Sequence, residues 1–222
     1  MGSLFGTDGI RGVANTELTP EFTVGLGRAV VRTLREEGIA RPAVLVGRDP
    51  RASGEMLEAA LVAGITSAGG DVTSVGVVPT PAVAYLTVAA GADLGAVLSA
   101  SHNPVADNGI KFFGPGGYKL TDAEEDRVEE LLQRTYEDRP TGAAIGRLTL
   151  RPEAVERYLD HLAGTVTADL SGLRVVVDCA NGAAAAVAPR LLRRLGCDVV
   201  ALHAQPDGTN INAGCGSTYP DV

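Results

Sequence analysis

The strongest constraint on this chain is an alternation: apolar runs of strand length, each joined to a segment whose apolar residues recur at helical spacing. "LTPEFTVGLGRAVVRTLREEG" opens with Thr19 as a cap and Pro20 as the first helical residue, and keeps its helical rhythm as far as Gly38. The strand-like run "AVLVGRD" follows. A helix over "SGEMLEAALVAGITSAGG", capped by Ser53 and stopped at Gly69, then leads to a strand at "DVTSVGVV". "TPAVAYLTVAA" reads as a short helix, with Thr80 before Pro81, and "DLGAVLSA" as a fully apolar strand. Helices between apolar strands imply right-handed crossovers and a parallel or mixed sheet.

After that strand comes the loop of "LSASHNPVADNGIKFF", whose Asp-Asn-Gly turn sends the chain back through "NGIKFF". A glycine turn, "GPGG", leads to "YKL". "TDAEEDRVEELLQRTYE" is the clearest helix, with Thr121 and Glu124 in capping-box spacing. Residues 138–150 are turn-rich, which sets a boundary between a first domain, 1–145, and a second, 146–222. The second holds a helix in "RPEAVERYLDHLAGTV", a strand in "LRVVVDCA", a turn at Asn181-Gly182, a helix over "AAAAVAPRLLRRLG" and a strand in "CDVVALHA". The expected fold class is α/β: a mixed, mainly parallel sheet sandwiched by helices, plus an incomplete second α/β domain that stops after two strands.

Charge and cysteine usage exclude several classes. A net charge of −8 argues against nucleic acid or an anionic membrane as the main partner. An acidic protein that binds phosphate must concentrate its cations, and the only two lysines, Lys111 and Lys119, lie just downstream of the serine loop. Cys179, Cys197 and Cys215 are eighteen residues apart each time, a spacing that fits neither a zinc knuckle nor a disulfide framework. They are expected to be reduced and structural. The N-terminus has no apolar signal core, so a cytoplasmic protein is expected. His161 and His203, with no acidic or cysteine partner at metal spacing, read as ordinary residues.

Three readings of Ser101 compete. A hydrolase nucleophile activated by His102 is disfavoured, because consecutive residues rarely face one another and no G-x-S-x-G elbow is present. Ser101 and Asn103 could simply bond the backbone of a turn enforced by Pro104. In the third reading Ser101 carries a phosphoryl group at the carboxyl end of a parallel strand, where ligands of open α/β sheets collect. Lys111, on the returning strand, is placed to come back near it. Arg11 in "GTDGIRG" and Arg48 and Arg51 in "VGRDPRASG" add candidate anion loops. Two non-catalytic alternatives remain open, a phosphate-binding module and an interaction protein that completes its sheet with another chain.

Taken together, "LFGTDGIRG", "VGRDPRASG", "PTPAVAYLT", "LSASHNPVADNGIKFF" and "VVVDCANGA", in this order, resemble the α-D-phosphohexomutases over the whole chain, with an opening like the phosphoglucosamine branch. The resemblance implies a phosphosugar substrate and the interconversion of glucosamine 6-phosphate and glucosamine 1-phosphate, on the route to bacterial cell-wall precursors. Ser101 would carry the phosphoryl group, with a bound 1,6-bisphosphate as intermediate. Arg11, Arg48, His102 and Lys111 would surround it, Arg48 or His102 assisting proton transfer. Mg2+ would be held by the phosphoserine at Ser101 and by three aspartates of a D-x-D-x-D-R loop. No such loop occurs in these 222 residues, and relatives are about twice this length. The expectation is a truncated chain without turnover of its own, prone to self-association through its unfinished second domain.

Overall fold

A computed structural model describes residues 4–136, 139–219 and 221; Glu137, where the sequence pattern ends the expected acidic helix, and Asp138, where the expected boundary begins, lie outside the described residues. Among the described residues the first unit is a six-stranded sheet built from β1 (Ile10–Val13), β2 (Ala43–Arg48), β3 (Asp71–Val77), β4 (Leu94–Leu98), β5 (Asp107–Phe113) and β6 (Leu148–Leu150), in the order β1-β5-β4-β2-β3-β6. β4, β2, β3 and β6 run parallel to one another, and β5 is antiparallel to both β4 and β1. This is the mixed, mainly parallel sheet that the alternation requires.

Helices cover both faces. α1 (Pro20–Glu36), α2 (Ala52–Ser67) and α4 (Asp122–Leu132) cover one, packing Leu26, Val30, Leu61, Ile65 and Leu131 onto Val44, Val46, Leu98, Ile110 and Phe112. On the other, α3 (Thr80–Ala90) and α5 (Ala154–Thr165) pack Val83, Leu86, Tyr158 and Leu159 against Leu45, Val75, Val97 and Phe113. Alternate residues of each strand thus serve different cores. The capping predictions divide. Thr19 accepts from the Phe22 amide at 3.2 Å, and Thr121 and Glu124 form the expected capping box. Ser53 is no cap: α2 begins one residue earlier, and the Ser53 hydroxyl instead accepts from Asn108 Nδ2 at 2.9 Å.

Two further expectations need correction. β6 lies beyond the boundary placed after residue 145, yet it pairs with β3 and belongs to the first sheet. Its three residues are exposed and carry no periodic signal; the edge is fastened by Asp71, which accepts from Arg41 Nε and Nη2 at 2.7 Å and from the Arg147 amide at 2.8 Å. The alanine-rich helix is broken, with a 3₁₀ turn at Ala183–Ala186 and α6 only from Ala188 to Arg194, restarted by Pro189 in its first turn. The second unit also contains β7 (Arg174–Asp178) and β8 (Asp198–Leu202), paired in parallel. Their outward face leaves Val176, Val200 and Leu202 exposed.

Candidate functional site

The apolar strand β4 delivers the chain into a loop whose backbone is held from below. Ser101 has φ 55°, a left-handed conformation that costs a non-glycine residue about 1–2 kcal/mol, so something must pay for it. Arg51 does, with a side chain that is 0% exposed. Its Nη2 donates to the carbonyls of Ser101 at 3.0 Å and Asn103 at 2.9 Å, and its Nη1 to those of Asp107 at 3.0 Å and Pro104. Nε donates to Asp49 Oδ2 at 3.0 Å, and the same oxygen accepts from Ser99 Oγ at 2.7 Å. Ser99 Oγ in turn accepts the Ser101 amide at 3.0 Å. A planar fork with five donors suits this task, and every one of its arms is engaged. Arg51, expected to offer itself to an anion, is therefore a buttress.

Strand parity decides which cations reach Ser101. Leu45, Val97 and Phe113 belong to the core beneath α3, so Asp49, Ser99, Gly109 and Lys111 project to that face as well. Ile10 belongs to the opposite core, which turns Arg11 to the serine side. Arg48 has the parity of Val44 and Val46 and points the other way, where Nε meets Glu58 at 2.9 Å and Nη2 meets Glu55 at 3.2 Å on α2. The structure does not bring Arg48 to the serine. Arg11 and Lys111 do meet: Asp8 receives Arg11 Nη1 at 3.4 Å and Lys111 Nζ at 3.5 Å. Both contacts are long and Asp8 is exposed, so they contribute little. Arg11 Nε is buried and has no hydrogen-bond partner among the described residues.

Gly109 makes this convergence possible. It stands between Arg11, its register partner on β1, and Ser99, whose amide donates to its carbonyl at 2.9 Å. A Cβ at Gly109 would lie 2.7 Å from the Ser99 carbonyl oxygen and 2.9 Å from Arg11 Cγ. Gly109→Ala is expected to displace the Arg11 side chain, to cost about 1–3 kcal/mol of stability, and to weaken calorimetric binding of inorganic phosphate about tenfold. Unchanged affinity would show that Arg11 does not need this gap.

Ser101 lines a cavity of about 330 Å³ between the two units, together with Asp49, Ser99, His102, Cys179, Ile211 and Asn212 among others. His102 is exposed with Nδ1 3.4 Å from Ser101 Oγ, so the left-handed backbone brings these neighbours closer than consecutive residues usually come. No carboxylate orients His102 among the described residues, so a triad is not assembled.

Metal ligands are scarce at the serine. Asp49 is the carboxylate lining the cavity, and Arg51 and Ser99 occupy its oxygens. For magnesium, which demands near-octahedral oxygen ligation, the described residues supply at this loop one ligand atom, on Ser101, and so do not by themselves fit the ion. His203 is less solitary than expected: ligand atoms of Asp178, His203 and Cys215 lie within 4.8 Å of one another. Asp178 is committed to backbone amides, of Ala180 at 2.8 Å and Gly216 at 2.9 Å, which hold its carboxyl below the usual range. Burial, and then the Asp178 charge, push the Cys179 and Cys215 thiols up, consistent with structural cysteines.

Sequence reasoning missed Asp49 and Ser99 and misjudged Arg51. The available signal was strand parity carried one residue past β2, which separates Arg48 from Asp49.

Comparison with known proteins agrees with this architecture. The family described as phosphoglucomutase/phosphomannomutase, alpha/beta/alpha domain I, matches residues 2–139, and its domain II matches residues 156–213. A phosphoglucosamine mutase of Mycolicibacterium gilvum is 60% identical over 99% of this chain and 49% of its own length. Another, of Saccharopolyspora erythraea, is 60% identical over 100% of this chain and 50% of its own. A crystal structure of a phosphoglucomutase/phosphomannomutase family protein from Burkholderia thailandensis superposes with a TM-score of 0.78 at 32% identity, covering 93% of this chain and 45% of that one. The chain thus spans about half the length of the curated relatives it matches.

Proposed function

The chain belongs to the phosphoglucomutase/phosphomannomutase family, and on that premise we propose that it supplies the phosphoryl-carrying half of a phosphoglucosamine mutase. One observation carries the reading: Ser101, on a buttressed left-handed backbone, opens onto a 330 Å³ cavity on the sheet face to which Arg11 and Lys111 also project.

In the proposed cycle the phosphoryl group on Ser101 passes to the anomeric hydroxyl of glucosamine 6-phosphate. The P–Oγ bond breaks, a sugar P–O bond forms, and the hydroxyl proton passes through His102 to the released serine oxygen. The resulting 1,6-bisphosphate turns over and returns its other phosphoryl group to Ser101: the bond from phosphorus to the sugar's 6-oxygen breaks, the P–Oγ bond re-forms, and the serine proton passes back through His102 to the 6-oxygen, leaving glucosamine 1-phosphate. Arg11 and Lys111 would hold the non-bridging oxygens, so that positioning and charge neutralisation do most of the work. Magnesium, when bound, would neutralise further phosphate charge, and a phosphorylated Ser101 is the one ligand that the described residues would supply to it. Glucosamine 1-phosphate is the form that a nucleotidyl transfer to cell-wall precursors would consume, which puts the proposed work in the cytoplasm. No described helix is long and apolar enough to cross a membrane.

The test is a steady-state assay of the full-length protein, primed with a bisphosphate, against glucosamine, glucose and mannose 6-phosphates. The amino sugar should be turned over fastest. Faster turnover of mannose or glucose phosphate would move the protein to another branch of the family, and no turnover of any would favour a phosphate-binding module.

A further inference from the structure

We infer that Asn212 is a positioning residue for phosphoryl transfer at Ser101, the point where the second unit sets the backbone of the serine loop. The inference rests on the proposed role of Ser101 as phosphoryl carrier. Asn212 Nδ2 donates to the Ser101 carbonyl at 3.1 Å and to the Asn103 carbonyl at 3.2 Å. These two oxygens are the ones that Arg51 Nη2 grips from the first unit at 3.0 and 2.9 Å. A carbonyl oxygen has two lone pairs, so the two donors between them fill both acceptors. Fixing the Ser101 carbonyl fixes ψ of that residue. Its amide is already held by Ser99 Oγ, so both torsions that aim the Cα–Cβ bond are set by named partners.

Asn212 is held as firmly as it holds. It has φ 58°, and its amide donates at 2.9 Å to the carbonyl of Ala180, whose own amide is fixed by Asp178 at the end of β7. The same loop has a second foothold beside Arg51, where the Gly208 carbonyl accepts the Ala52 amide at 2.9 Å. Gly208 has φ +91° and would place a Cβ 3.3 Å from Ala52 Cβ, so a glycine suits this close approach. Asp207 Oδ1 stiffens the span between the footholds by accepting the amides of Thr209 at 2.7 Å and Asn210 at 3.0 Å. The loop therefore grips the first unit on both sides of the buttress, and a shift of the second unit would be felt at Ser101 Oγ.

The test is Asn212→Gly in the full-length protein, because glycine accepts φ 58° without strain while the side chain that carries the Nδ2 donor is removed. Phosphorylation of Ser101 by a sugar 1,6-bisphosphate is followed by phosphopeptide mass spectrometry at increasing bisphosphate. The saturating rate should fall about tenfold while the half-saturating concentration stays put, since Arg11 and Lys111 are untouched. Asn212→Asp, which keeps the shape and turns a carboxylate toward the two carbonyls, should fall at least as far. A saturating rate equal to wild type in Asn212→Gly overturns the inference, as does a change confined to the half-saturating concentration. Retention of the wild-type rate in Asn212→Asp, with only a lower unfolding midpoint, reduces Asn212 to packing and overturns it too. A wild-type protein that takes no phosphate on Ser101 sinks the carrier reading itself, and this inference with it.

Discussion

On the proposed carrier reading, Ser101→Ala should lower interconversion of glucosamine 6-phosphate and glucosamine 1-phosphate by the full-length protein at least about a thousandfold, because the group proposed to store the phosphoryl between half-reactions is gone. The fold should survive. Alanine and serine carry the same Cβ penalty at φ 55°, and the bonds that hold this backbone run to the Ser101 amide and carbonyl, which the substitution leaves in place. Ser101→Thr keeps a hydroxyl but places a β-branched side chain in the left-handed region, where it is a true outlier. It should therefore recover only part of the activity. Coupled assays of initial rate, with unfolding midpoints measured in parallel, separate loss of the acceptor from loss of the loop. Near-wild-type turnover by Ser101→Ala would remove the serine from the mechanism.

Arg51→Met should have the largest effect on stability, lowering it by about 3–5 kcal/mol, the usual consequence of removing one partner of a buried ion pair. Asp49, only 3% exposed, would keep the Ser99 hydroxyl and the residue 51 amide but lose its counter-charge. The carbonyls of Pro104 and Asp107 would lose the Arg51 donor, while those of Ser101 and Asn103 would fall back on Asn212 alone. Domains of ordinary stability have about 5–15 kcal/mol in total, so the denaturation midpoint should drop steeply. Arg51→Lys should help little, since a single ammonium cannot span four carbonyls and a carboxylate. A midpoint within experimental error of wild type would mean that the loop does not depend on its buttress.

Much of the fold was legible because strands and helices alternate with the right periods and end at glycines. β6 was not, because three exposed residues on a sheet edge leave no pattern. At the site, Ser101, His102, Arg11 and Lys111 could be read as a cluster of loops and cations, and the β1–β5 and β4–β5 pairings bring them to one region. Arg48 points to the other face, toward Glu55 and Glu58; neighbouring arginines in one motif look alike until strand parity separates them. The buried role of Arg51 and the reach of Asn212 across 111 residues depend on tertiary packing that no local pattern encodes.

The central claim is that Ser101 carries the phosphoryl group, and a labelling chase tests it most directly. Full-length protein is incubated with a bisphosphate labelled in its phosphoryl groups, digested, and read by peptide mass spectrometry before and after addition of unlabelled glucosamine 6-phosphate. The label should appear on the peptide containing Ser101 and leave it for the sugar within the turnover time. Label on any other residue, or label on Ser101 that the sugar cannot remove, would contradict the account.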